Sequence, residues 1–185
     1  MRDNFWKTFA LASGRYAPWL RDNGSLTARI QQCCQTFSVQ TLHSKQMNAA
    51  YDETALLGLP NNQKIFTREV YLYADSKPIV FAHSVVETRH LRGVWRNLKN
   101  LGTRPLGAVL FAHPMVHRAP LHYYTLKLHH VLYRRAVENL EITPPKLWAR
   151  RSVFTLHGAP LLVTEVFLPD ILTLPNNISK VISVK

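Results

Sequence analysis

The chain has 185 residues, of which 46% are hydrophobic, enough for one domain with a packed core. Lys and Arg number 23 against 11 Asp and Glu, a formal charge of +12 whose field attracts nucleic acid, anionic lipid or small anions, yet no run of five or six cations marks a disordered nucleic-acid-binding arm. The only cysteines are the neighbours Cys33 and Cys34, which excludes a disulfide framework and a CxxC zinc knuckle, and no stretch approaches the roughly 18–20 apolar residues of a membrane span.

The first nineteen residues are broken by Lys7, Ser13 and Arg15, unlike a secretory core, so a soluble cytoplasmic protein is expected. After the turn signal Asp22-Asn23-Gly24, Ser25 or Thr27 caps a short helix containing Ala28 to Cys34. "FSVQTLHSKQM" reads as a strand. "IFTREVYLYADSKPIVFAHSVV" then reads as two strands joined by Asp75-Ser76-Lys77-Pro78. Leu91, Val94, Trp95, Leu98 and Leu101 have helical spacing; that helix stops at Gly102, and a second short one begins after Pro105. Leu121, Tyr124, Leu128, Val131 and Leu132 predict an amphipathic helix from Leu121 to Leu140. A second hairpin follows in "KLWARRSVFTLHGAPLLVTEVFLP", with His157-Gly158-Ala159-Pro160 as its turn, and residues 170–185 form a weakly patterned tail. Hairpins with helices inserted between them predict an α+β fold, an antiparallel β-sheet flanked by helices in one domain spanning 1–185.

Two charges stand out on apolar strands. Alternation puts Phe66, Arg68, Val70 and Leu72 on one face and Thr67, Glu69, Tyr71 and Tyr73 on the other. In the last hairpin it groups Leu161, Val163, Glu165 and Phe167. A lone buried carboxylate is costly, so Glu165 is on a wet face, neutralised, or facing a ligand. Arg68 and Glu165 either pair with each other, or they line a pocket in which Arg68 offers a fork to a carboxylate and Glu165 meets a hydroxyl. Other clusters carry blander readings. Pro114 breaks helical geometry between His113 and His117, so no metal site is expected there. Cys33-Cys34 reads as small core residues, His129-His130 as the wet side of a helix, and Arg150-Arg151 as solvated or locally paired.

"WLRDNGSLT", "FTREVYLYADSKPIVFAHSVV", "LGTRPLGAVLF" and "LWARRSVFTLHGAPLLVTEVFLP" together resemble the chorismate pyruvate-lyase family of ubiquinone biosynthesis, over most of Trp19 to Pro169. The resemblance implies a sheet flanked by helices with the ligand buried under flap-like segments, no metal and no cofactor. It implies elimination of pyruvate from chorismate to give 4-hydroxybenzoate. Arg68 and the backbone of Leu106 would hold the ligand carboxylate, Glu165 would meet the hydroxyl end, and Leu26 would contribute main chain where the family has a methionine. His83 stands where a family member has an arginine on the second strand, and the segment from Phe111 to Trp148 is longer than the family version. A monomer is expected, with no nucleic-acid partner, though its basic surface leaves peripheral docking on a membrane open. Two rival functions remain: a non-catalytic small-molecule-sensing domain of related fold, against which the lack of a helix-turn-helix segment weighs, and a basic nucleic-acid-binding protein, against which the lack of RRM, KH or zinc-finger signatures weighs.

Overall fold

The computed structural model describes residues 5–61 and 63–175. In chain order it contains α1 (Ala17–Leu20), α2 (Leu26–Cys33), β1 (Phe37–Asn48), α3 (Tyr51–Leu57), β2 (Lys64–Ala74), β3 (Lys77–Glu87), α4 (Leu106–Ala112), β4 (His117–Arg118), β5 (His122–Leu126), α5 (Val131–Val137), β6 (Leu147–Leu156) and β7 (Ala159–Phe167). The strands make one antiparallel sheet in the order β1-β2-β3-β7-β6, with β4 and β5 both pairing along the far edge of β6. This is the α+β arrangement that the two hairpins predict.

Both hairpins turn more tightly than their sequences suggest. β2 runs to Ala74 and β3 starts at Lys77, leaving only Asp75 and Ser76 at the turn, at φ 47° and 68°. Asp75 meets this conformation by accepting the backbone N–H groups of Gln35 and Thr36 at 2.9 and 2.8 Å. The last hairpin turns on His157 and Gly158, at φ 48° and 77°. Positive φ at both central residues matches the right-handed twist of the flanking strands, which is why two-residue turns are stable here.

Helices cover both faces. On one face α1, α2 and α4 lie over Val39, Phe66, Val70, Leu72, Val80, Val86 and Leu161, with Trp19, Leu20 and Ile30 fully buried. On the other, α5 packs Leu132, Tyr133 and Ala136 against Tyr71, Phe81 and Val166, while α3 sets Leu57 against Ile65, Val85 and Leu162. Burying side chains of this size stabilises by about 1.5–3 kcal/mol each, which drives both layers onto the sheet.

Two helix expectations are corrected. Leu91 to Leu101 forms two short 3₁₀ turns, Thr88–Arg92 and Arg96–Leu98, interrupted at Gly93, instead of a continuous helix. Leu91, Trp95, Leu98 and Leu101 still face the core while Val94 is exposed, and Trp95 donates its indole N–H to the carbonyl of Ala159 at 3.1 Å. The helix expected from Leu121 to Leu140 is instead strand β5, a turn at Leu128 and His129, and the short α5; Leu128 and Val131, assigned to its apolar face, are exposed. Pairing with β6 outcompetes helix formation, because Leu121, Tyr123 and Leu126 bury their side chains only when that segment is extended. The weakly patterned tail begins with a 3₁₀ turn, Pro169–Thr173, that buries Ile171; residues 176–185 lie outside the described residues. No helix among the described residues is long and apolar enough to cross a membrane.

Candidate active site

The sheet face under α2 and α4 carries a cavity lined by Leu26, Arg68, Leu106 and Glu165, the four residues singled out in the sequence. Register explains the meeting. Arg68 on β2 lies opposite Ser84 on β3, and Ala82, two residues away on the same face, lies opposite Glu165 on β7. The two charges therefore share a face but are separated by β3, roughly 10 Å laterally at about 4.8 Å per strand, so they do not pair with each other.

Arg68 is 2% exposed. Its Nη2 donates to the carbonyls of Gly102 and Arg104, at 2.8 and 3.2 Å, while its Nε has no partner, and no carboxylate pairs with it among the described residues. Burial pushes its pKa down to about 10, which still leaves it cationic at neutral pH. Gly102 takes φ +54° to present its carbonyl, which also accepts from Thr41 at 2.9 Å. The turn that leads into α4 is thus tied to the sheet through Arg68.

Leu26 and Leu106 are the first residues of α2 and α4, whose first backbone N–H groups have no acceptor within their own helix. The two helix starts approach closely. A Cβ at Gly107 would stand 3.1 Å from the Thr27 hydroxyl, so only glycine lets α4 sit this near α2 without displacement. Ser25 caps α2 by accepting from Ala28 N–H at 3.3 Å.

Glu165 has the partner that sequence reasoning missed. Arg150, directly opposite on β6, donates its Nε to Glu165 Oε2 at 2.5 Å. Arg150 is fully buried, not solvated, and its Nη1 donates to the carbonyls of Trp19, Leu20 and Asp22 at 3.0, 3.3 and 2.6 Å. One guanidinium therefore orients the carboxylate and pins the end of α1. Arg118, a second missed residue, also lines the cavity; it lies between Phe111 and Phe154 and donates to the carbonyl of Asn23 at 2.9 Å. The cavity interior measures about 40 Å³. An apolar cavity that takes benzene measures about 150 Å³, so the interior as it stands is smaller than a six-membered ring requires.

The opposite face carries a row of polar side chains at matched register: His43, Glu69, His83, Thr164 and Arg151 on β1, β2, β3, β7 and β6. His83 bonds Glu69 through Nδ1 at 2.8 Å and Glu53 of α3 through Nε2 at 2.7 Å, and Arg135 of α5 reaches Glu69 at 2.5 Å. Burial alone would depress the His83 pKa, but hydrogen bonds and charge from the two glutamates overcome it and hold the imidazole at about 9. His83 therefore does not line the cavity. Arg151 pairs with Asp52 of α3 at 2.6 Å and stacks over Trp6, so it too is buried rather than solvated. His130 is not on a wet helix face: it caps α5, its ring nitrogen accepting from Leu132 N–H.

Solved structures resemble this fold at low identity. The effector domain of PhnF from Mycobacterium smegmatis matches with TM-score 0.56 and 13% identity, over 80% of this chain and 90% of that one. The ligand-binding domain of a putative GntR-family transcriptional regulator from Bordetella bronchiseptica matches with TM-score 0.53 and 16% identity, over 73% and 86%. Sequence relatives are nearer. A probable chorismate pyruvate-lyase of Nitrosospira multiformis is 50% identical over 163 residues, 88% of this chain and 91% of the relative. Another, of Methylobacillus flagellatus, is 42% identical over 175 residues, 95% and 98%. The chorismate lyase family profile matches residues 8–175, and with identities of this size over nearly the whole length the chain belongs to the chorismate lyase family and is a lyase.

Proposed function

We propose that the protein is a chorismate pyruvate-lyase, converting chorismate to 4-hydroxybenzoate and pyruvate at the start of ubiquinone biosynthesis, with Arg68, Leu106, Glu165 and Leu26 as its binding and catalytic residues. The observation that carries this reading is Arg68, a buried cation without a carboxylate partner among the described residues, in the same cavity as a carboxylate held in place by Arg150. A buried guanidinium in that state favours an anionic ligand. The ring carboxylate meets Arg68 and the Leu106 amide, with Leu26 main chain beside it. The hydroxyl end of the ring reaches Glu165, whose Oε1 is not engaged by Arg150.

The reaction asks little of the protein. The ether C–O bond to the enolpyruvyl group breaks with its electron pair leaving on oxygen, the neighbouring ring carbon that bears the hydroxyl loses its hydrogen, and the departing fragment gains that hydrogen equivalent as pyruvate. Aromatisation drives the step. The site excludes water, holds the dianion in a reactive conformer, and stabilises charge developing on the leaving group. Glu165 orients the hydroxyl and is placed to assist the hydrogen that is lost.

Incubating the purified protein with chorismate and no added metal should yield 4-hydroxybenzoate and pyruvate in equal amounts, followed by absorbance. The likeness in fold to transcriptional effector domains motivates one other reading, a sensor that binds without chemistry; saturable chorismate binding with no product formed would support the sensor and defeat the lyase.

A further inference from the structure

The substrate of the proposed reaction carries two carboxylates, and the product keeps only one. Arg68 and the Leu106 amide account for the ring carboxylate at one end of the cavity. The enolpyruvyl group is attached next to the hydroxyl-bearing carbon, so its carboxylate must lie at the Glu165 end, where a second unpaired anion beside Glu165 would be strongly unfavourable without a cation.

Arg150 does not meet this need: its Nε and Nη1 are taken by Glu165 and three backbone carbonyls, and although its buried Nη2 has no partner, Arg150 does not line the cavity. Arg118 does. It lines the cavity, and it is near enough to the Glu165–Arg150 pair to feel both charges. Its guanidinium lies 5.5 Å from the Phe111 ring centre and 5.3 Å from that of Phe154, within cation–π range of both. Only Nη1 is committed, to the Asn23 carbonyl at 2.9 Å; its buried Nε has no partner. The edge formed by Nε and Nη2 is left for a two-pronged acceptor.

We propose that Arg118 binds the enolpyruvyl carboxylate of chorismate and is therefore the residue by which the site distinguishes its dianionic substrate from its monoanionic product. This inference rests on the lyase reading. Arg118 holds the leaving fragment by its carboxylate while the ether bond breaks, and once pyruvate departs it no longer contributes to holding the aromatic product.

The test compares two ligands on one variant. In Arg118→Met, kcat/KM for chorismate should fall by about 100-fold or more, while the Kd for 4-hydroxybenzoate stays within about threefold of the parent protein. Retained product binding also shows that the variant is folded. Arg118→Lys should recover part of the loss, since it restores the charge but not the fork. Equal losses for both ligands would make Arg118 only a latch between β4 and the Asn23 loop, and unchanged chorismate kinetics would remove it from the site; either result overturns the assignment. If the parent protein binds 4-hydroxybenzoate but forms none from chorismate, the lyase reading fails first and takes this inference with it.

Discussion

Glu165 sits in an apolar strand because Arg150 faces it, and that pairing sets the outcome of changing either residue. Glu165→Gln keeps the shape but leaves a fully buried guanidinium without its counter-charge, a loss on the order of 3–5 kcal/mol for a buried pair and less here because Glu165 is partly exposed. Thermal melting should therefore show a clear drop for Glu165→Gln, largely reversed in Glu165→Gln with Arg150→Met, while chorismate turnover stays low in both; full turnover in the double variant would remove Glu165 from the chemistry. Strand alternation grouped Arg68 and Glu165 each with apolar neighbours, and the register across β3 puts the two on one face. Alternation could not find Arg150, since a four-residue turn at His157–Pro160 sets Glu165 opposite Ser152. The actual two-residue turn at His157–Gly158 sets it opposite Arg150. The missing signal was turn length: a shift of two residues gives Arg150, expected to be solvated or locally paired, Glu165 as its local partner.

At the level of elements, α3 is fastened to the sheet by charge as much as by packing. Glu53 bonds His83, Asp52 pairs with Arg151, and among the described apolar side chains of α3 Leu57 alone is fully in the buried core. His83 is held at about 9, above its ordinary value of 6.5, so its charged form stabilises the fold fully below about pH 6.5 and that contribution is lost as the pH rises through 9. Glu53 and Glu69 shift the other way: burial would raise them, but His83 hydrogen bonds and charge lower them, so their contribution is present above the ordinary carboxylate range and is lost as the pH falls below it. The urea midpoint should accordingly be highest near pH 5–6.5 and fall toward pH 9.5, and His83→Gln should flatten the alkaline limb. An equal alkaline slope in His83→Gln would place its origin elsewhere. None of this was legible in the sequence, because Glu53 lies 30 residues from His83 and only the packing of α3 brings them together. The α5 region was misread for a related reason: spacing of three and four residues fits a helix in isolation, but the open edge of β6 offers the segment a ladder of hydrogen bonds instead.

For the whole molecule, the charge of +12 acts at long range on a substrate with two negative charges. Between Glu87 and Glu138 the sequence holds nine lysines and arginines and no acid, and this stretch contains α4 and Arg118 beside the cavity. Raising ionic strength from about 0.01 M to 0.5 M shortens the screening length from about 30 Å to a few ångströms, so kcat/KM should fall several-fold while kcat stays level. A salt-independent kcat/KM would mean that capture owes nothing to the general field. The same accounting of charge applies to how the chain reaches its sheet. Sliding β2 by two residues against β3 would keep every apolar side chain on its proper face, and hydrophobicity alone would tolerate the error. It would also move Glu69 from His83 to a place opposite Phe81 or Val85, a buried carboxylate stripped of its imidazole. Thr164 and Arg151 extend the same row onto β7 and β6, so a slip there breaks it as well. The polar row thus works as a proofreading mark during folding, rejecting misaligned sheets that oil alone would accept.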